Sequence, residues 1–213
     1  MPKTFQDIAS KLYNGHEKAV VALVQEALEQ GMSPEKILNK ALIVGMDKVG
    51  QAFKDGRLFV PEVLMAARAM QAGLDLLRPF LSKSNSARIG KYVIGVVKGD
   101  LHDIGKNLVK MMMEGAGFET IDLGANVPPE VFVTAVKEHK PKILGMSALL
   151  TTTMPQMRVT IELLKEAGLR SSIKIMVGGA PVTADFAQQI EADGYTPDAA
   201  TAVDVARQLL SSS

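Results

Sequence analysis

The sequence predicts an α/β domain of flavodoxin-like, Rossmann-like type with a five-stranded parallel sheet, preceded by an all-α helical bundle. Three observations carry this reading. Over residues 1–81 apolar positions recur at spacings of three and four, the helical period. From residue 89 onward short β-branched runs alternate with helical stretches, the pattern of a parallel sheet whose strands are joined by helices. Between the two lies SKSNSAR, residues 82–88, small and polar as a linker reads. The expected division is a helical bundle with its linker over 1–88 and a sheet domain over 89–213.

The bundle elements follow in order. AVVALVQEALEQG (19–31) is helical and stops at Gly31. Ser33 before Pro34 and Glu35 is an N-cap followed by proline at the first helical position. The next helix carries Ile37, Leu38, Leu42, Val49 and Phe53 on one stripe and ends near Gly56. Pro61 opens a further helix, which Pro79 brings towards its end. Helices with such short connections make a small bundle.

In the second half the strand slots are KYVIGVV (91–97), ETIDLG (119–124), KILGMSAL (142–149), IKIMVGG (173–179) and the short GYTPD (194–198). Helical stretches NLVKMMMEGAG, PPEVFVTAVKEHK, MPQMRVTIELLKEAG, TADFAQQIEADG and ATAVDVARQLL follow them in turn. The strands read as apolar throughout, as strands covered by helices on both faces do. Five slots suit the order 2-1-3-4-5. The Met111–Met113 run reads as core packing.

Composition narrows the function. Apolar residues make up 47% of the 213, enough for a sizeable core. A formal net charge of +1 removes the electrostatic case for nucleic-acid binding. With no cysteine there is no disulfide, thiolate metal site or cysteine nucleophile. The first residues lack the apolar core of a signal peptide, and no apolar run approaches the ~18 residues of a membrane span. The expectation is a cytoplasmic protein with no membrane or nucleic-acid partner.

In an open parallel sheet, ligands bind beyond the carboxyl ends of the strands, where the strand order reverses. The loops there are GDLHDIG (99–105), GANVPP (124–129), SALLTTT (147–153) and GGAPVT (178–183). Together they offer an imidazole, carboxylates, a run of hydroxyls and a bare glycine pair. Each has a plain structural reading. His102 can be a surface histidine near a helix start capped by Asp100 or Asp103, and Gly178–Gly179 a tight turn. Thr153 can be an N-cap, and Val127 part of a proline turn. The functional reading makes His102 a ligand imidazole whose second nitrogen is oriented by Asp100. Gly105 then lets a bulky ligand approach, and Val127 presents it an apolar surface. Zinc does not fit, because its sites want three or four ligands and His16 and His139 lie elsewhere. Ser147 stands where a phosphoacceptor aspartate would be, and GDLHDIG is not a dinucleotide fingerprint. A flavin mononucleotide stays open at this level.

The run Asp100-Leu101-His102-Asp103-Ile104-Gly105, then Ser147-Ala148-Leu149, then Gly178–Gly179, resembles the cobalamin-binding domain of corrinoid methyltransferase proteins. GRLFVPEVLMAARAM (56–70) resembles the helical cap that precedes that domain in methionine synthase and in small corrinoid shuttle proteins. The resemblance spans nearly the whole chain. It implies a cobalamin or related corrinoid cofactor, with His102 as the lower ligand of cobalt in place of the cofactor's own base. It implies that Asp100 holds His102 and that Thr153 is the third member of that relay. Leu101, Asp103, Ile104, Gly105, Val127 and Leu149 would lie along the cofactor. Ser147 and Thr151 would offer hydroxyls to its nucleotide tail, Gly178 and Gly179 would line the slot that takes the tail, and Tyr195 and Ala199 would lie near it. Phe59 would cover the upper face.

A cobalt that gains and sheds its lower base as it cycles also explains the pairing of His102 with Asp100, since ligation releases or takes up a proton. The function implied is a non-autonomous methyl carrier. A substrate-specific methyltransferase would load it and a second methyltransferase would pass the methyl to a folate or thiol, with a reductive activase as a further partner. The cap would swing aside about residues 82–88. The alternatives are a cobalamin-dependent sensor and the small subunit of an adenosylcobalamin mutase.

Overall fold

Residues 3–81 and 89–211 are described in the computed structural model; the expected linker over 82–88 lies outside the described residues. The chain divides into two compact units, one formed chiefly by residues 1–89 and the other by most of the remainder.

The first unit consists of helices α1 (Lys3–Tyr13), α2 (Glu17–Glu29), α3 (Pro34–Ile37), α4 (Ile43–Lys54) and α5 (Val60–Leu81). Ser33 caps α3 through its side chain, which accepts from the Lys36 amide, and Pro34 stands in the first turn. Helix α3 runs into α4 through one widened π turn, Leu38–Leu42. The apolar stripe survives that extra residue: Ile37, Leu38, Leu42 and Val49 are all buried. Small residues bring helices together. A Cβ on Gly45 in α4 would lie 3.1 Å from the Ala9 carbonyl of α1. One on Gly73 in α5 would lie 3.1 Å from Val20 and Leu42. Helix α5 continues past Pro79 to Leu81.

The second unit is a parallel sheet of β1 (Lys91–Val96), β2 (Glu119–Asp122), β3 (Ile143–Ser147), β4 (Lys174–Gly178) and β5 (Gly194–Thr196), in the order β2-β1-β3-β4-β5. Helices α6 (Ile104–Gly115), α7 (Pro129–His139), α8 (Pro155–Glu166), α9 (Ala184–Gln189) and α10 (Ala199–Ser211) connect and close it. Alternate strand residues serve the two faces. Val93, Leu144, Met146, Ile175 and Val177 pack on one face with Phe132, Val136, Met157, Ile161 and Leu164 from α7 and α8. On the other face Val205 and Leu209 of α10, and Met176 of β4, close around Gly194. β1, β3 and β4 are buried along almost their whole length. β2 departs from the expected apolar character: as an edge strand it is only partly buried, and Asp122 closes it. Because β2 lies on one side of β1 and β3 on the other, the chain reverses direction across the sheet there. The strand order thus reverses between β1 and β3, the place at which sheets of this kind bind ligands beyond their carboxyl edge.

Candidate functional site

The loop after β1 carries Asp100 and His102, and the loop after β3 supplies what holds them. Asp100 has no exposed surface, whereas the His102 side chain is 53% exposed. Asp100 Oδ1 accepts from the His102 amide at 3.1 Å and lies 2.8 Å from His102 Nδ1. Oδ2 accepts from the amides of Leu149 at 2.7 Å and Leu150 at 3.1 Å, and from the Thr153 hydroxyl at 2.8 Å. A buried carboxylate is tolerated only when its lone pairs are met, and here both oxygens are.

Burial alone would raise the Asp100 pKa. The Leu149 amide, the His102 ring and amide and the Thr153 hydroxyl outweigh it and hold the group well below the usual carboxylate range. An ionised Asp100 has no proton to give, so the hydrogen between it and His102 belongs to Nδ1. In the neutral ring the lone pair is then on Nε2. The site thus presents one solvent-accessible imidazole nitrogen of defined tautomer.

Other residues of the two loops take distinct places. Asp103 caps α6: its carbonyl accepts from the Asn107 amide at 2.8 Å and its carboxylate from the Asn107 side chain at 3.0 Å. Leu101 and Ile104 are 73% and 81% exposed, and Leu149 and Leu150 are exposed too, so large apolar groups stand open on both loops. Gly105 faces open space, with nothing within 4 Å of the position a Cβ would take. Thr151 is exposed and Thr153 buried; Ser147 ends β3, its carbonyl bonded to the Val97 amide.

Gly178 and Gly179 end β4 under a local constraint. A Cβ on Gly178 would lie 2.8 Å from the Thr196 hydroxyl, and one on Gly179, where φ is +125°, would overlap the Ala148 carbonyl oxygen. The pair therefore serves the close approach of neighbouring backbone in its own right. Tyr195 lies in β5 opposite Val177 and packs against the core; Ala199, buried, begins α10.

Val127 departs from the expectation of an apolar ligand surface. It is buried in the core with Phe132, bridged to Val97, because the loop after β2 continues alongside β1. Phe59 belongs to the helical unit. It precedes α5, its amide donates to Glu62 at 3.0 Å, and its ring is exposed. Among the described residues no group of three or more His, Cys, Asp or Glu side chains is placed to hold a metal ion.

Three structural features around His102 escaped the sequence reading. The Leu149 and Leu150 amides are backbone donors, which no side chain advertises. Lys106 is 2% exposed, and its ammonium meets Asp122 Oδ1 at 2.5 Å, while Lys110 reaches Oδ2 at 3.3 Å. Asn126 holds the loop before His102; the signal that could have found it is an asparagine in a turn after Gly124, since asparagine tolerates the left-handed conformation.

Residues 90–204 match the family of the B12 binding domain, and residues 4–78 match a second family of the same description. The chain is 45% identical over 206 residues to a dimethylamine corrinoid protein of Methanosarcina acetivorans, covering 96% of each chain. Among solved structures it resembles the methanol:cobalamin methyltransferase complex of Methanosarcina barkeri, with a TM-score of 0.88 and 34% identity over 100% of this chain and 81% of that one. It also resembles a cobalamin-binding protein of Desulfitobacterium hafniense, with a TM-score of 0.79 and 35% identity over 96% and 98% of the two chains.

Proposed function

The chain belongs to the corrinoid proteins built on the B12 binding domain, and from that premise we propose that it carries a methyl group on a corrinoid held at His102. In this reading a substrate-specific methyltransferase loads the methyl and a second methyltransferase passes it to a folate or thiol acceptor. The observation that carries the proposal is the lone imidazole with its partner nitrogen fixed by a buried carboxylate.

The donor set fits a corrinoid. A macrocycle that brings nitrogen donors of its own to the metal would ask the protein for a single further ligand, and His102 would be that residue. A single accessible Nε2, with no metal-binding cluster among the described residues, is that chemistry. The open space before Gly105 and the exposed Leu101, Ile104, Leu149 and Leu150 suit a large, largely apolar disc. When bound, the corrinoid supplies a cobalt able to accept a methyl group and give it up.

The rest is the work of this chain's residues. Asp100 keeps the proton on Nδ1 and aims the ring. The amides of Leu149 and Leu150 and the Thr153 hydroxyl keep Asp100 ionised. The hydroxyls of Ser147 and Thr151 and the β4 glycines lie at the same sheet edge and are assigned to the nucleotide tail. Phe59 is assigned to the upper face.

The expected partners follow from the likeness to the methanol:cobalamin methyltransferase complex: the described residues form a helical unit and an open parallel sheet, which suit a carrier loaded by another protein. The corrinoid-loaded chain alone should therefore leave methylamines and methanol unchanged, and addition of a methylamine or methanol methyltransferase should transfer their methyl to the bound corrinoid. Demethylation by the loaded chain alone, or no transfer with any such partner, contradicts the carrier role.

A further inference from the structure

We infer that Asn126 is a positioning residue for His102, acting as the strap that fixes the loop on which Asp100 and His102 stand. The inference rests on His102 being the corrinoid ligand.

The loop 101–103 has no regular secondary structure, and the His102 ring is half exposed, so its placement must come from outside. The Asp100 carboxylate is held by the loop after β3, but its main chain is held from the opposite side, by the loop after β2. That loop runs on beside β1. The Leu123 amide donates to the Ile94 carbonyl at 2.8 Å, the Val96 amide to Gly124 at 2.9 Å, and the Val127 amide to Val96 at 2.9 Å. Ala125 and Asn126 bulge from this ladder, and Asn126 turns left-handed at φ 55°. The bulge aims Asn126 at the histidine loop twice. Its side-chain Oδ1 accepts from the Gly99 amide at 2.7 Å, and its own amide donates to the Asp100 carbonyl at 2.9 Å.

The end of β2, just before that loop, grips the far end of the histidine segment. Asp122 binds Lys106, four residues after His102, and turns its Oδ1 onto the Gly124 amide at 2.9 Å as well. The end of β2 and the loop that follows it thus pin both ends of residues 99–106, and Asn126 is the side chain that does so nearest His102.

The test uses the full-length chain with Asn126→Gly and Asn126→Asp. Glycine adopts φ 55° freely, so that variant removes the acceptor without adding backbone strain. Aspartate tolerates the same conformation and keeps an oxygen for Gly99. Two readouts are taken at one fixed pH. The first is the His102 Nδ1–H signal of the corrinoid-free protein in a proton–nitrogen spectrum. The second is the ratio of His-on to His-off forms in the visible spectrum after loading with methylcobalamin. Asn126→Gly should speed solvent exchange of the Nδ1 proton and lower the His-on ratio, each by roughly fivefold, the factor one ordinary hydrogen bond carries. Asn126→Asp should keep both within about twofold, a twofold change being well under the worth of one hydrogen bond.

A glycine variant with both readouts within that limit overturns the proposal. So do glycine and aspartate variants that are equally impaired, since the acceptor would then be irrelevant. Should the glycine variant fail to fold, the wild type decides. A Gly99 amide exchanging at least tenfold slower than a free peptide, roughly the protection a persistent hydrogen bond gives, supports the strap, and one exchanging freely refutes it. If the corrinoid-free readout behaves as expected while loaded wild type shows no His-on form, the strap stands and the assignment of His102 as ligand falls.

Discussion

At the scale of single residues the chemistry turns on where one proton sits. Asp100 is buried and ionised, and its Oδ2 faces three donors from the loop after β3. An asparagine in its place must put its side-chain oxygen there, which turns its NH2 towards the amide and Nδ1 of His102. Two donors would then oppose each other, and the ring is pushed to carry its hydrogen on Nε2, where the lone pair is needed. Asp100→Asn should therefore lower the His-on fraction of the loaded protein by roughly tenfold or more, given the ~1–3 kcal/mol of a mismatched buried donor. Corrinoid retention should change far less, because the proposed binding draws on the exposed Leu101, Ile104, Leu149 and Leu150 as well. Visible spectra beside equilibrium dialysis check both; an unchanged His-on fraction would refute the tautomer argument.

Much of this constellation was legible. An aspartate two residues before a histidine at a strand end, and a threonine after the third strand, are side chains, and their chemistry can be read from type and spacing. The amides of Leu149 and Leu150 were not legible, since any residue carries an amide and only the fold aims it. Val127 misled because a valine in a turn looks available, whereas the backbone ladder to β1 draws it into the core.

Among elements, the weak strand β2 does more than its four residues suggest. Its terminal Asp122 neutralises Lys106, which is almost wholly buried on α6. Burial would raise the Asp122 pKa, but the hydrogen bond from Lys106, the Gly124 amide and the charges of Lys106 and Lys110 bring it below the ordinary value. A carboxylate depressed in the folded state stabilises above its unfolded pKa of about 3.9, and that contribution is lost as pH falls through the folded value. Asp122→Ala should destabilise the protein near pH 7 by roughly 3 kcal/mol, as breaking a buried pair does by stranding the other charge. Lys106→Met should cost less, since it strands only a partly exposed carboxylate. Urea unfolding at pH 7 checks both, and the deficit of Asp122→Ala should shrink below about pH 4; equal losses for the two variants would contradict the buried-charge argument.

The order of elements was readable because period and β-branching change sharply between helix and strand. The polar edge strand, the π turn at Leu38–Leu42 and the run of α5 beyond Pro79 were not. Each depends on which neighbours cover the segment, and local sequence does not carry that information.

For the whole molecule, two units with separate cores come from two halves with separate periodicities. Among the described residues no helix is long and apolar enough to cross a membrane. In the proposed function everything depends on how the corrinoid is attached: one half-exposed imidazole, oriented from behind by a buried carboxylate, would be its sole protein ligand among the described residues. The most direct measurement is the visible absorption spectrum of the chain reconstituted with methylcobalamin, taken beside His102→Ala. The predicted result is a spectrum with the cofactor's own base off and histidine on in the wild type, shifting to a base-off form without histidine in the variant while corrinoid stays bound. Identical spectra, or no corrinoid retained by the wild type, would contradict it.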